Sequence, residues 1–518
     1  MAARRGLIIG LGVALVAAPA FAQPAASPTA STAASPQAPA KPAPPKRVIV
    51  AQAAPATARQ PTPGKPAANT SQPGVPRTLA EALAVTYSTQ PALMAERAKL
   101  RATDENVPAA LSGWRPQVVV AGTAGYGDGM SRAFSRAANG WLNVQTDRLI
   151  ATAQTTMVQP LYTGGKVQAN VNKAKNQVMA ERANLISQEQ TSFTNVVTAY
   201  VGVIQAQQLL ALQVNNEQVL AKQLQATNDR FRVGEITRTD VAQAEAALAQ
   251  ATAQRQTAEG NLQTARGTFR QVVGYLPPGD LVEPQPLSLP VKTEQEATAL
   301  AGRNNPAVVA ALFNDAAAKD AVDVAFAQLL PQVSLQGQIF QQNNSGSRSS
   351  QANGYQAVVA VSVPIYQGGS EYSAVRQARQ TEQQTKNQVD DARRTAVQNA
   401  TQAWETLAAA RASANSTKAA IQANQVALEG VAREAIVGSR TTLDVLNAQQ
   451  ALLNSQTTLV NNLSDLIKAS YQVAAAVGRL TARDLHLPVP LYDETAYFNA
   501  VKDKWVGLGD YATDQPGR

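Results

Sequence analysis

The chain of 518 residues carries no Cys, a single His and 5% aromatics, with 45 Lys or Arg against 36 Asp or Glu. So few aromatics exclude several thick globular cores. The lack of thiols and clustered imidazoles excludes Cys-based zinc sites, multi-His metal centres and thiolate chemistry, so no metal, cofactor or enzymatic activity is expected. Eight basic and no acidic residues fall in 1–77, which leaves 37 against 36 for the remainder, a near-neutral balance that argues against a nucleic-acid partner.

The first 22 residues read as a secretory signal, with Arg4 and Arg5, an apolar run from Leu7 to Ala18, and the small-x-small site Ala20-Phe21-Ala22. Cleavage is expected to leave Gln23 first, because a dozen apolar residues fall short of the ~20 that span a bilayer. No later stretch reads as a transmembrane helix, and without Cys no lipid-modified N-terminal Cys is expected. Residues 23–77 hold 13 of the 29 prolines and six positive charges, a composition expected to stay disordered as a tether. Its basic residues could touch an anionic cell-wall polymer such as peptidoglycan or a membrane surface, but a plain solubilising spacer is the reading the composition favours.

From residue 78 the sequence repeats itself. Thr78, Glu81, Ala82, Pro91, Pro116 and Gln117 recur 215 positions later as Thr293, Glu296, Ala297, Pro306, Pro331 and Gln332. Further on the offset is 204, with Pro160, Tyr162, Gly164 and Gly165 matching Pro364, Tyr366, Gly368 and Gly369, and Gly234, Asp240 and Gly274 matching Gly438, Asp444 and Gly478. The 11-residue difference falls between Val118 and Pro160, which predicts a loop of different length in two copies of one unit. The copies are expected to span 78–283 and 293–482, followed by a tail over 483–518.

Within each copy, half-length helices over 78–113 and 293–328 lead into strands. Polar/apolar alternation predicts strands of about ten residues at roughly 117–126 and 152–162, and at 332–339 and 359–365. That length suits membrane-spanning strands, and four cannot close a barrel that needs about eight, so the chain must oligomerise if they span lipid. Pro116, Pro160, Pro331 and Pro364 are placed to end ladder pairing, and Gly164-Gly165 and Gly368-Gly369 to supply permissive backbone at the swing from strand to helix. Long helices follow from Lys166 to Val233 and from Ser370 to Val437, each without Pro. Val167, Val171, Ala174 and Val178, then Phe193, Val197, Tyr200 and Ile204, form a narrow coiled-coil seam. Gly234 and Gly438 end these helices. The chain returns over 240–273 and 444–477, with Asp240 and Gln243 three residues on reading as a capping box. The paired half-length helices sum to about the length of each long one, so two should stack end to end beside it. Such a layer repeated about an axis makes a tube.

These residues resemble the TolC-type outer-membrane channel-tunnels, also called the outer membrane efflux protein family. The carriers are Arg115-Pro116-Gln117, Pro160-Leu161-Tyr162-Thr163-Gly164-Gly165, Pro364-Ile365-Tyr366-Gln367-Gly368-Gly369, and Val437-Gly438-Ser439-Arg440-Thr441-Thr442-Leu443-Asp444-Val445-Leu446. The tail from Tyr492 to Gly507 is similar to that of members working in type I secretion. The resemblance implies a mainly α chain with a small membrane β-barrel. Four strands from each of three copies would form a 12-stranded barrel continuing into a periplasmic α-barrel. It implies a passive outer-membrane exit duct for secreted proteins or small toxic compounds. Its expected partners are outer-membrane lipid, a periplasmic adaptor (membrane fusion protein) and an inner-membrane pump such as an ABC transporter. It implies that Asp240, Arg440 and Asp444, with Thr239 and Asn447 beside them, lie at the periplasmic gate, and that the tips at Gly234 and Gly438 meet the adaptor. Asn447 stands where a second acidic residue is familiar, and Ala435 where a Tyr is. Tyr162 and Tyr366 fit an interfacial aromatic girdle or ordinary packing at a turn. The competing class, a periplasmic coiled-coil adaptor or structural protein of an export complex, should carry one hairpin, small β domains and an anchor. His486 has no nucleophile pattern around it and reads as an ordinary surface or packing residue.

Overall fold

The computed structural model describes residues 76–289, 291–345 and 349–508. The expected leader over 1–22, the tether over 23–77 except its last two residues, and the tail beyond 508 lie outside the described residues. Short helices α1 (Leu79–Thr89), α2 (Pro91–Asp104) and α3 (Asn106–Leu111) precede strands β1 (Gln117–Ser135) and β2 (Gly140–Tyr162) and helices α4 (Lys166–Arg232) and α5 (Arg238–Val273). The order then recurs as α6 (Glu294–Asn304), α7 (Pro306–Phe326), β3 (Gln332–Asn343), β4 (Gln351–Ser362), α8 (Ser370–Ile436) and α9 (Thr442–Ala476), with α10 (Ala496–Val501) in the tail.

The expected single helices over 78–113 and 293–328 are each interrupted. Gln90 and Asn305 precede prolines and are extended, with ψ of 123° and 129°, because the pyrrolidine ring bars the preceding residue from helical backbone. The stacking of half-length helices is present: α4 packs against α5 and α9 along one part of its length and α7 along another, and α8 packs against α9 and α7. Where α9 ends and α7 begins, the Asn305 side-chain amide donates to the Ala476 carbonyl at 3.1 Å. Gly478 turns the chain there with φ +84°, and a Cβ on it would lie 2.6 Å from the Asn304 carbonyl oxygen.

The seam residues of α4 named above are all buried. Phe193, Val197 and Tyr200 anchor the main core beneath α1–α3, joined by Leu262 and Phe269 of α5, Leu480 just after α9 and Leu487 of the tail. The Tyr200 hydroxyl lies 2.7 Å from the carbonyls of both Arg77 and Val282, tying the start of the first copy to the segment that follows it. One 18-residue window of α4 reaches a mean hydropathy of 1.2, so by length and composition this helix could cross a membrane, which corrects the expectation that no later stretch qualifies. Its apolar residues are instead packed in that core. A second, smaller cluster of Ala403, Leu407, Ala469, Val473 and Val477 joins α8 to α9, and polar contacts supplement these seams. Gln205 of α4 donates to Asn461 of α9 at 2.8 Å, Arg255 of α5 pairs with Glu217 of α4 at 2.7 Å, and Asn462 of α9 donates to Ser413 and Thr417 of α8 at 2.9 Å. Such amide and hydroxyl contacts hold helices together while leaving their other faces to water.

The four strands form one antiparallel sheet in the order β1-β2-β3-β4. β1 and β2 have 19 and 23 residues, about twice the expected length, whereas β3 and β4 have 12 each. The expected loop between them is therefore mostly ladder. β2 pairs with β3 only from Ala151 onward, so its first 11 residues and their β1 partners project alone, over roughly 35 Å. Gly125, Gly127 and Gly129 with Asp128 break the alternation there, which hid the strand. β4 starts at Gln351 and stops at Ser362, so Val363 to Ile365 belong to the junction. Pro160 does not end β2: the register shifts past it and pairing resumes at Tyr162 with Val333.

The register separates two faces. Val118, Tyr126, Leu149, Met157, Leu335, Ile339, Tyr355, Val359 and Val361 share one, and all are exposed. On the other, Gln338 donates to Gln154 at 3.0 Å and Gln356 donates to Gln338 at 2.7 Å, with Thr123 and Thr152 hydroxyls 2.6 Å apart. One face thus suits lipid and the other water.

The junction glycines differ between the copies. Gly164 (φ +62°) has its Cβ position 2.7 Å from Leu330 Cβ and 2.9 Å from the Ala327 carbonyl, whereas Gly368 (φ +73°) faces open space. Gly164→Ala should therefore lower the unfolding midpoint in urea well beyond Gly368→Ala, by about 1–2 kcal/mol more. Equal losses would contradict the asymmetry.

The tail climbs α1–α3 in parallel. Tyr492 N–H donates to the Tyr87 hydroxyl at 3.0 Å, the Tyr497 hydroxyl to Glu105 at 2.8 Å, and Arg115 to the Lys504 carbonyl at 2.7 Å. Beneath it, Arg97 lies between the rings of Tyr87 (4.5 Å) and Tyr492 (5.0 Å). Ala482 N–H donates to Glu189 at 2.6 Å, while burial pushes the Glu189 carboxyl up. Asp104 is 1% exposed, and neither carboxylate oxygen has a hydrogen-bond partner.

The hairpin tips as candidate entrance site

Both long helices close with the same local design. α4 ends at Arg232 and Gly234 (φ +80°) reverses the chain, with Glu235 N–H donating to the Arg230 carbonyl at 3.0 Å. α8 ends at Ile436 and Gly438 (φ +81°) does the same, with Ser439 N–H donating to the Glu434 carbonyl at 3.0 Å. These bonds satisfy carbonyls that a helix end leaves open, and the positive φ explains why glycine stands at both positions.

The returning helices begin earlier than expected, at Arg238 and Thr442, and their caps are Thr237 and Thr441. Asp240, the third residue of the helix, thus closes a capping box and does not open one: its carboxylate accepts from Thr237 N–H at 3.0 Å and Thr237 Oγ1 at 2.6 Å. Asp444 likewise accepts from Thr441 N–H at 3.0 Å and Thr441 Oγ1 at 2.9 Å. The hydrogen bonds from Thr237, side chain first, hold the Asp240 carboxyl below the usual range; the Thr441 backbone, then its side chain, does the same for Asp444, with Arg440 adding a smaller part. Both carboxylates are charged at neutral pH and sit at helix N-termini, where negative charge is favoured. Thr239 lies exposed in the first turn of α5 and Asn447 exposed in the second turn of α9.

Arg440 does not pair directly with Asp444. Its Nε lies 2.9 Å from Glu434 Oε2, which raises the guanidinium pKa, and the pair bridges the end of α8 to the turn. The first tip carries the charge-reversed arrangement, Arg230 Nη2 to Glu235 Oε1 at 2.6 Å. Reading the sequence had singled out neither Glu434, Glu235 nor Arg230 as a tip ion-pair partner. The Thr-x-x-Asp spacing at 237–240 and 441–444 was the signal for the true caps. Each tip therefore presents exposed ionised groups held in fixed positions, with Asp240, Arg440 and Asp444 brought to the ends of the same pair of hairpins.

At the opposite end, Gly165 and Gly369, both at φ +85°, cap α4 and α8. Pro116 and Pro331 stand just before β1 and β3, and Pro364 two residues after β4.

Residues 85–275 and 298–479 match the family described as outer membrane efflux protein. The chain is 36% identical over 442 residues to outer membrane efflux protein BepC of Brucella suis biovar 1, a match covering 85% of this chain and 93% of that protein. It is 28% identical over 318 residues to outer membrane protein TolC of Escherichia coli K12, covering 57% of this chain and 63% of that one. Among solved structures, VceC of Vibrio cholerae superposes with a TM-score of 0.66 at 22% identity, covering 77% of this chain and 96% of VceC.

Proposed function

The chain belongs to the outer membrane efflux protein family, and from that premise we propose that three copies assemble into a tunnel through the outer membrane and periplasm, engaged by a periplasmic adaptor and an inner-membrane pump. The family fixes the coarser part: the chain is an outer-membrane exit duct for efflux or secretion, with a long periplasmic portion and a transport role in place of catalysis. The adaptor alternative falls away, because the match runs through both hairpins and both strand pairs.

The observation that carries the trimer is the sheet. Its outer strands β1 and β4 leave ladder edges unpaired in one chain, while one face is apolar and the other lined by glutamines. In lipid every unpaired backbone group costs several kcal/mol, so the edges must meet those of other copies. Cargo is set mostly by the pump, and an ABC transporter moving a secreted protein fits the tail's likeness to type I secretion members. The tether is proposed to touch peptidoglycan. Deleting 23–70 should leave assembly intact on native gels, since a composition so rich in Pro and so poor in large apolar residues cannot bury much surface; loss of assembly would reject the tether reading.

At the entrance, Asp240, Arg440 and Asp444 are proposed to bias the tips closed through contacts between copies, with Thr239 and Asn447 alongside and the Gly234 and Gly438 turns meeting the adaptor. What supports this is that Arg440 is exposed and Asp240 and Asp444 half-exposed, as fixed charges at the free ends of the hairpins. Arg440→Ser with Asp444→Ala should raise single-channel conductance in planar bilayers at normal assembly yield. Thr441→Ala removes the same cap without changing charge and should leave conductance unchanged. A double variant that assembles well and conducts like wild type would reject the gate and leave only a capping role.

A further inference from the structure

The tail delivers an apolar tip to the base of the sheet. Its contacts with the first copy advance in step, from Tyr87 through Glu105 to Arg115, and Arg115 lies two residues before β1 begins. There the Arg115 guanidinium lies 4.8 Å from the centre of the Trp505 ring while donating to the Lys504 carbonyl, which fixes where the chain emerges. Among the described residues the side chains from Trp505 onward are left largely open: Trp505, despite Arg115, is 66% exposed, Val506 85% and Leu508 fully. The apolar face of the sheet begins at the same level, with Val118 on β1 and Leu161 and Tyr162 at the end of β2, all exposed.

We infer that Trp505, Val506 and Leu508 insert into the periplasmic leaflet of the outer membrane and anchor the tail at the lipid boundary. Three arguments favour lipid as the occupant. The cluster continues a face already apolar enough for lipid, and single exposed apolar residues are ordinary whereas a continuous run is not. A Trp with a polar N–H on an apolar ring suits the headgroup level, where it is enriched in membrane proteins. Lys502, Lys504 and Arg115 outnumber Asp503 next to the run, a net positive charge that suits phosphate headgroups. An anchor here would hold the strap across α1–α3 against the barrel base, coupling the periplasmic core to the membrane.

The inference rests on the barrel reading above, so its test carries a separate control. The chain has no native Cys, so a nitroxide can be placed at one position at a time in the full assembly. Leu508→Cys would be compared with Val359→Cys on the apolar sheet face and Ser439→Cys at a hairpin tip, in phosphatidylethanolamine and phosphatidylglycerol bilayers. Power saturation should show Leu508 and Val359 more accessible to oxygen than to an aqueous nickel chelate, with the reverse at Ser439. Brominated phospholipids should also quench wild-type fluorescence more than that of Trp505→Phe. If Val359 reads as lipid-exposed while Leu508 reads as aqueous, or as shielded from both probes, the anchor is rejected and the barrel stands. If Val359 itself reads as aqueous, the barrel reading fails with it.

Discussion

Replacing Gly478 by Ala should lower the stability of the assembled protein by about 2–4 kcal/mol, the largest loss expected from a single added methyl group. Two effects act at one position. The backbone there has φ +84°, where a Cβ crowds its own carbonyl, at a cost of roughly 1–2 kcal/mol. The Cβ would also stand 2.6 Å from the Asn304 carbonyl oxygen and 3.2 Å from its carbonyl carbon, and backbone cannot swing aside as a flexible side chain can. Relief requires separating the end of α9 from the start of α7, which breaks the bond from Asn305 to Ala476. Gly274, at the matching point of the first copy, has φ +90° but open space around it, so Gly274→Ala should bear the strain alone. Urea unfolding followed by circular dichroism checks both; equal losses at the two positions would show that the stacking contact contributes nothing.

That junction also shows what the sequence carries. The lengths of the long helices and of the returning ones were legible because Gly234, Gly274, Gly438 and Gly478 punctuate both copies at matching positions, whereas the breaks before Pro91 and Pro306 split helices expected to run unbroken over 78–113 and 293–328. The glutamine-lined and apolar faces of β3 and β4 followed from period-two alternation. The outer halves of β1 and β2 did not, because Gly and Asp replace the apolar residues where the hairpin leaves the shared sheet. At the tips, Asp240 and Asp444 were legible as capping residues, but the pattern placed them at the helix starts that Thr237 and Thr441 occupy. The ion pairs were not legible: Arg230 and Glu235, and Glu434 and Arg440, exchange signs between copies and so leave no shared pattern. The clasp of the tail over α1–α3 joins residues about 390 to 400 positions apart, a separation no local pattern encodes.

Asp104 lies under that clasp and gives the second prediction. Burial pushes its carboxyl up to about 6, opposed by Arg182 and Arg101 and reinforced by Glu105 and Glu494, with Tyr492 of the tail close by. In the unfolded chain it should ionise near 3.9. Below that pH both states are protonated and the residue costs nothing by this route. Between about 4 and 6 the folded chain holds a proton that the unfolded chain releases, so stability falls as pH rises, and above 6 the full cost remains, about 1–3 kcal/mol. Asp104→Asn removes the ionisation and keeps the shape. Its thermal midpoint relative to wild type should therefore rise by several degrees between pH 4 and pH 8. A difference independent of pH would mean that the site is hydrated or paired and that the burial has no electrostatic consequence.

One chain supplies four strands of a closed barrel and cannot form it alone. Native mass spectrometry of the full chain released from detergent micelles tests this most directly. The account predicts a single dominant species of three chains, with each released monomer carrying no acyl group. A stable monomer that keeps its β-sheet signal in circular dichroism would contradict it, because its β1 and β4 edges would then lie in lipid without partners.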